Sequence, residues 1–106
     1  MRQISDKAEV AIDFPDKFYI GGFGRDAEFD ARVEDDGILV RLVRTGDEKR
    51  QVEIHLHYFL FANILEEVAR SIAAQKPIDE LHRHPLLTAT KMLAAAIEHG
   101  SAQPAE

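Results

Sequence analysis

Through most of the first half of the chain, apolar residues alternate with polar ones. In AEVAIDF, Val10, Ile12 and Phe14 alternate with Glu9, Ala11 and Asp13, and Pro15-Asp16 supplies a turn into KFYI. Two short strands are predicted there. The run GGFGRD then breaks the pattern, because three glycines in four residues favour a bend or bulge over a continuous strand. Alternation resumes in DAEFDARVE, with Ala27, Phe29, Ala31 and Val33 on one face, continues after the turn EDDG in ILVRLVR, and continues again after TGDEK in RQVEIHLH. The expected arrangement is an antiparallel meander.

Its register follows from the requirement that residues facing each other across a hairpin point to the same side. Pairing Val33 with Ile38 sets Ala31 opposite Val40 and Phe29 opposite Leu42, with Asp30 opposite Arg41 on the outer face. Pairing Leu42 with Val52 sets Val40 opposite Ile54 and Arg41 opposite Glu53. Arg41 is thereby expected between two carboxylates.

The period changes inside VEIHLHYFLFANIL. Leu56 is the last residue that obeys a period of 2, and from Tyr58 or Phe59 the spacing of Phe61, Leu65, Val68 and Ile72, with Ile64 beside them, is helical. A helix of about five turns is predicted, ending at Lys76 before Pro77. PIDELHR makes a short helical turn, His84 is expected to be extended before Pro85, and Pro85 suits the first position of a second helix that Gly100 caps. The fold class expected is α+β: an antiparallel β-meander of four to five strands, then a long helix and a second C-terminal helix packed on one face. The expected organisation is a single domain over residues 1–100 with a disordered tail, SAQPAE, over 101–106.

The 106 residues suit one domain. With 45% hydrophobic and 30% charged residues the composition is that of a globular protein. The absence of cysteine excludes thiolate metal sites, disulfides and a cysteine nucleophile. No run reaches the roughly 18 apolar residues of a membrane span, and the first residues lack the apolar run of a leader, so a cytoplasmic, non-membrane protein is expected. The net charge is −6, and residues 1–53 hold 13 acidic against 9 basic side chains. Such a field makes nucleic acid a disfavoured partner. The nearest basic cluster, Arg44, Lys49 and Arg50, shares its turn with Asp47 and Glu48.

Candidate chemistry centres on two His-x-His pairs. His55 and His57, two apart in a strand, share a face and can reach one zinc or copper ion, with Glu53 as the nearest third ligand. The plainer reading is that they are polar residues on the outer face of a strand where it passes into a helix. His82 and His84 would diverge on a helix. GGFGRD matches neither dinucleotide nor phosphate-loop patterns and precedes a strand. Ser5, Ser71 and Ser101 lie in no nucleophile elbow, and the pairs Asp35-Asp36 and Glu66-Glu67 sit in a turn and on a helix face. No enzyme is expected.

An apolar surplus stands out. Leu39 and Val43 flank Arg41 on the outer face, and the helix opens with Tyr58, Phe59, Leu60 and Phe61, apolar on every side. Two helices can cover one face of such a sheet but not both. Leu39, Val43, Tyr58, Phe59 and Phe61 are therefore expected to form an interface, in a homodimer or with another protein. A meander followed by a long helix resembles the order of elements in single-strand nucleic-acid binders of the Whirly and Pur-alpha kind, which dimerise through such helices. That resemblance implies the fold. The outward residues Glu28, Asp30, Arg32, Arg41, Glu53, His55 and His57 lack the stacking rings of those binders.

Overall fold

The computed structural model describes residues 1–102. The elements run β1 (Arg2–Gln3), β2 (Ala8–Phe14), β3 (Lys17–Phe23), β4 (Ala27–Glu34), β5 (Gly37–Arg44), β6 (Arg50–His57), α1 (Tyr58–Ala74) and α2 (Glu80–Ala102). Strand pairing is antiparallel throughout, with β1-β4-β5-β6 in one sheet and β2-β3 in a separate two-stranded sheet. The α+β class and the meander followed by helices are as the periodicities predict. The chain divides into two compact units, Met1–Leu65 and Glu66–Glu106, with the boundary inside α1.

The predicted register is the one found. Val33 pairs with Ile38, Ala31 with Val40 and Phe29 with Leu42; on the far side of β5, Leu42 pairs with Val52 and Val40 with Ile54. Arg41 stands between Asp30 and Glu53, with Nη2 3.8 Å from Asp30 Oδ2 and Nη1 4.0 Å from Glu53 Oε1. The alternation of apolar and charged residues fixes this register because a slip by one would turn every side chain to the wrong face.

Three local expectations are corrected. Gly21 and Gly22 do not bend the chain: β3 runs through them in regular register, Gly22 opposite Glu9 and Gly21 opposite Val10, and breaks only at Gly24. Arg50 lies beside Gly21, its Nη1 3.7 Å from where a Cβ there would stand, and donates from the same nitrogen to the Gly22 carbonyl at 3.3 Å. Pro85 does not open α2 but lies inside it, six residues along, so His84 is helical rather than extended. The missing proline N–H leaves the Leu81 carbonyl without its usual helical donor, a defect that the rest of a 23-residue helix tolerates. Gly100 does not terminate α2, which continues to Ala102, and Gly100 has no left-handed φ. The expected disordered tail lies, from residue 103 on, outside the described residues.

β1 has no alternation of its own and is placed by its partner. Arg2 pairs with Phe29 and Gln3 with Glu28, the Gln3 side chain donates to the Arg25 carbonyl at 2.6 Å, and Ile4 N–H donates to the Ala27 carbonyl at 3.0 Å. The result is to drop Ile4 beside Phe23 and Ala27. These are the buried hydrophobic residues of the described chain, surrounded by half-buried Ala8, Val10, Phe29, Leu42 and Val52. This cluster ties the β2–β3 hairpin to one end of the larger sheet. At the other end of the same sheet face Val33 is 73% exposed and Ile54 is exposed as well.

Asp79 caps α2. Its carboxylate accepts the His82 backbone N–H at 3.3 Å and meets the His82 ring Nδ1 at 2.8 Å, while its carbonyl accepts from His82 and Arg83. The bond to the His82 ring holds the Asp79 carboxyl below its ordinary value of 3.8; loss of hydration, the next largest influence, acts the other way, and the His82 backbone bond and imidazole charge add to the lowering. A carboxyl lowered in the folded state stabilises it above the unfolded pKa and ceases to do so as pH falls through the folded one. The first turn of α2 is therefore expected to stay capped at neutral pH and to fray only at pH values below the ordinary carboxylate range. An NMR titration of the Asp79 carboxyl carbon checks this, with a midpoint below that of an unstructured aspartate as the expected outcome.

Candidate functional site

The site grows from the meander itself. Because β5 and β6 are antiparallel in the register above, the start of β5 meets the end of β6: Gly37 faces His57, Leu39 faces His55 and Arg41 faces Glu53. On the other side Glu34 faces Gly37, so the β4–β5 turn is formed by Asp35 and Asp36 alone. Neither aspartate has a positive φ, so the turn is not one of the mirror-image types that usually close two-residue hairpins. Asp36 thus emerges beside the two histidines.

The distances are short. His55 Nε2 lies 3.1 Å from Asp36 Oδ1 and 3.9 Å from Glu34 Oε1, and His57 Nε2 lies 3.9 Å from Asp36 Oδ2. The two imidazole centroids are 5.0 Å apart, their planes inclined by 39°. One donor atom from each of Asp36, His55 and His57 fits within a mutual separation of 4.8 Å. All three side chains are exposed, on the edge strand of the sheet and the turn next to it.

Two features hold this corner. A Cβ built on Gly37 would overlap the Leu56 carbonyl oxygen and crowd His57 Cα at 2.9 Å, so only glycine permits β5 to start this close to the end of β6. Tyr58, the first residue of α1, bonds back to the turn twice: its N–H donates to the Asp36 carbonyl at 3.3 Å and its phenol to the Glu34 carbonyl at 2.6 Å. Turn, strand end and helix start are thereby clamped together.

Glu53, expected as third ligand, is engaged elsewhere. It pairs with Arg41 and accepts from the Gln51 amide at 3.0 Å, and the carboxylate with an oxygen close to both imidazole donors is that of Asp36. His82 is turned to Asp79. The expected interface residues are exposed to differing degrees: Leu39, Val43 and Phe61 are half-buried, Tyr58 is exposed, and Phe59 is 91% exposed; Leu60 beside them is exposed too. Along the rest of α1, Ile64, Leu65, Val68 and Ile72 are also exposed, as are Leu86, Leu93 and Ile97 of α2.

Arg44 Nε donates to Asp26 at 3.1 Å and Arg50 Nη2 to Glu48 at 2.8 Å. No helix among the described residues is long and apolar enough to cross a membrane. The chain matches no known protein family, no curated protein and no solved structure.

Proposed function

We propose that this protein is a non-enzymatic interaction module whose first partner is a second copy of itself. The observation that carries the reading is the start of α1, where Phe59 projects into water beside exposed Tyr58 and Leu60. Exposed single apolar residues are ordinary, but a monomer rarely leaves more than 300–600 Å² of contiguous apolar surface in water. Here large hydrophobic side chains are exposed on the β2–β3 hairpin (Phe14, Phe18, Ile20), on the sheet (Val33, Ile54) and along both helices.

A second copy suits these surfaces for a chemical reason. A two-fold arrangement lets exposed apolar residues of the sheet, such as Val33 and Ile54, and those of the helices find apolar partners on the second copy. Paired Arg41, Asp30 and Glu53 give the outer sheet face a mixed-sign pattern that is also compatible with its own copy.

Sedimentation equilibrium at micromolar concentration is expected to show a dimer. Phe59→Asp places a charge where the wild-type ring touches water, so it leaves the isolated chain folded by circular dichroism and shifts the equilibrium toward monomer by a factor of ten or more. A wild-type chain that sediments as a monomer at these concentrations contradicts the proposal.

A further inference from the structure

We propose that Asp36, His55 and His57 bind a divalent transition-metal ion, zinc foremost, in each chain. The donor set is two imidazoles and one carboxylate, which suits zinc, cobalt(II), nickel(II) or copper(II) and not the hard, oxygen-seeking magnesium or calcium. For metal–ligand bonds of about 2.1 Å, the edge of a tetrahedron is about 3.4 Å. The two carboxylate oxygens of Asp36 lie 3.1 Å (Oδ1) from His55 Nε2 and 3.9 Å (Oδ2) from His57 Nε2, on either side of that edge, and one donor atom from each residue lies within 4.8 Å of the others. Small side-chain rotations bring all three donors to one ion.

The ordinary reading of these contacts is a surface ion pair between imidazole and carboxylate, which contributes little. The surroundings distinguish the two readings. A metal site needs donors held from different parts of the chain, and here the turn that carries Asp36 is fixed to the end of β6 by the close approach at Gly37 and by both hydrogen bonds from Tyr58. Gly37 also leaves the row between Glu34 and His57 without an intervening side chain. The Glu34 carboxylate lies 3.9 Å from His55 Nε2 but outside the group of three donors, so the fourth position falls to water.

The electrostatics favour a cation. Glu34, Asp35 and Asp36 place three carboxylates within one turn, and the nearby cation Arg32 is directed to Asp30 at 3.6 Å. The N-terminus of α1 carries about half a positive charge next to His57, which opposes binding. Three acidic groups outweigh it.

Isothermal titration of the full chain with zinc is expected to show one equivalent bound per chain, and magnesium none. His55→Ala/His57→Ala abolishes the binding, and Asp36→Asn, which keeps a turn-forming side chain but removes the charge, weakens it at least tenfold. Cobalt(II) is expected to give visible d–d bands that disappear in the same variants. No zinc binding by the wild-type chain, or binding that survives the double substitution, overturns the proposal. The site lies within one chain and is independent of self-association, so Phe59→Asp is expected to bind zinc with unchanged stoichiometry.

Discussion

Phe23→Ala is expected to lower stability by about 3–4 kcal/mol, the cost of deleting a buried aromatic side chain and leaving a cavity. Phe23 is 4% exposed and belongs to a buried cluster it shares with Ile4 and Ala27. It carries the attachment of the β2–β3 hairpin, because that hairpin forms its own sheet and shares no strand pairing with β4, β5 or β6. The loss should therefore be uneven. Backbone amides of Ala8–Phe14 are expected to lose exchange protection first, while those of β5, hydrogen-bonded on both sides, keep theirs. Urea denaturation together with hydrogen exchange measures both parts, and uniform loss of protection over the two sheets would refute the attachment role.

Gly37→Ala is expected to cost about 3 kcal/mol, at the upper end of what overpacking costs, because the added methyl meets backbone atoms and not a side chain that can move aside. The Leu56 carbonyl and His57 Cα have to retreat, which parts the start of β5 from the end of β6. For a chain of this length that lowers the melting temperature by about 10–15 °C. The same displacement takes Asp36 away from both imidazoles, so zinc binding is expected to weaken together with stability, whereas Asp36→Asn should weaken it alone. A Gly37→Ala chain that melts within 2–3 °C of wild type contradicts this account.

The region of Asp36 shows how far sequence reading reaches. Pairing Val33 with Ile38 already implies a two-residue turn at Asp35-Asp36, and pairing Leu42 with Val52 already sets Gly37 opposite His57. Both pairings follow from alternation alone, and together they bring Asp36 beside the second histidine. Glu53 was the expected ligand because it shares a strand face with His55 and His57, and that criterion left the turn out. In the folded chain the Arg41 charge draws Glu53 away, across the register, while Asp36 comes in from the turn.

The failures have a common cause. Glycine-rich Gly21–Gly24 reads as a break because local propensity counts only what the residues lack, and not the pairing with β2 or the bond that Arg50, 28 residues away, makes to the Gly22 carbonyl. Pro85 reads as a helix start because its own preference is for the first turn, but Asp79 nucleates α2 six residues earlier with a carboxylate bonded to His82. β1 has no pattern to read, since a two-residue strand exists only through the edge of β4.

Periodicity along the chain sets the succession of strands and helices, the register of β4, β5 and β6, the ladder Asp30–Arg41–Glu53 and the change from strand to helix at His57–Tyr58. These follow from periods of 2 and 3.6 residues, which are properties of local backbone geometry and are expressed wherever apolar residues repeat at that spacing. The tertiary structure alone decided that β2 and β3 form a separate sheet, that Ile4 joins Phe23 and Ala27, and that the Asp36 carboxylate turns toward both imidazoles while Glu53 pairs with Arg41. Those outcomes depend on which backbones approach one another at Gly37 and Ala27, and on packing between segments distant in sequence, which no local period encodes.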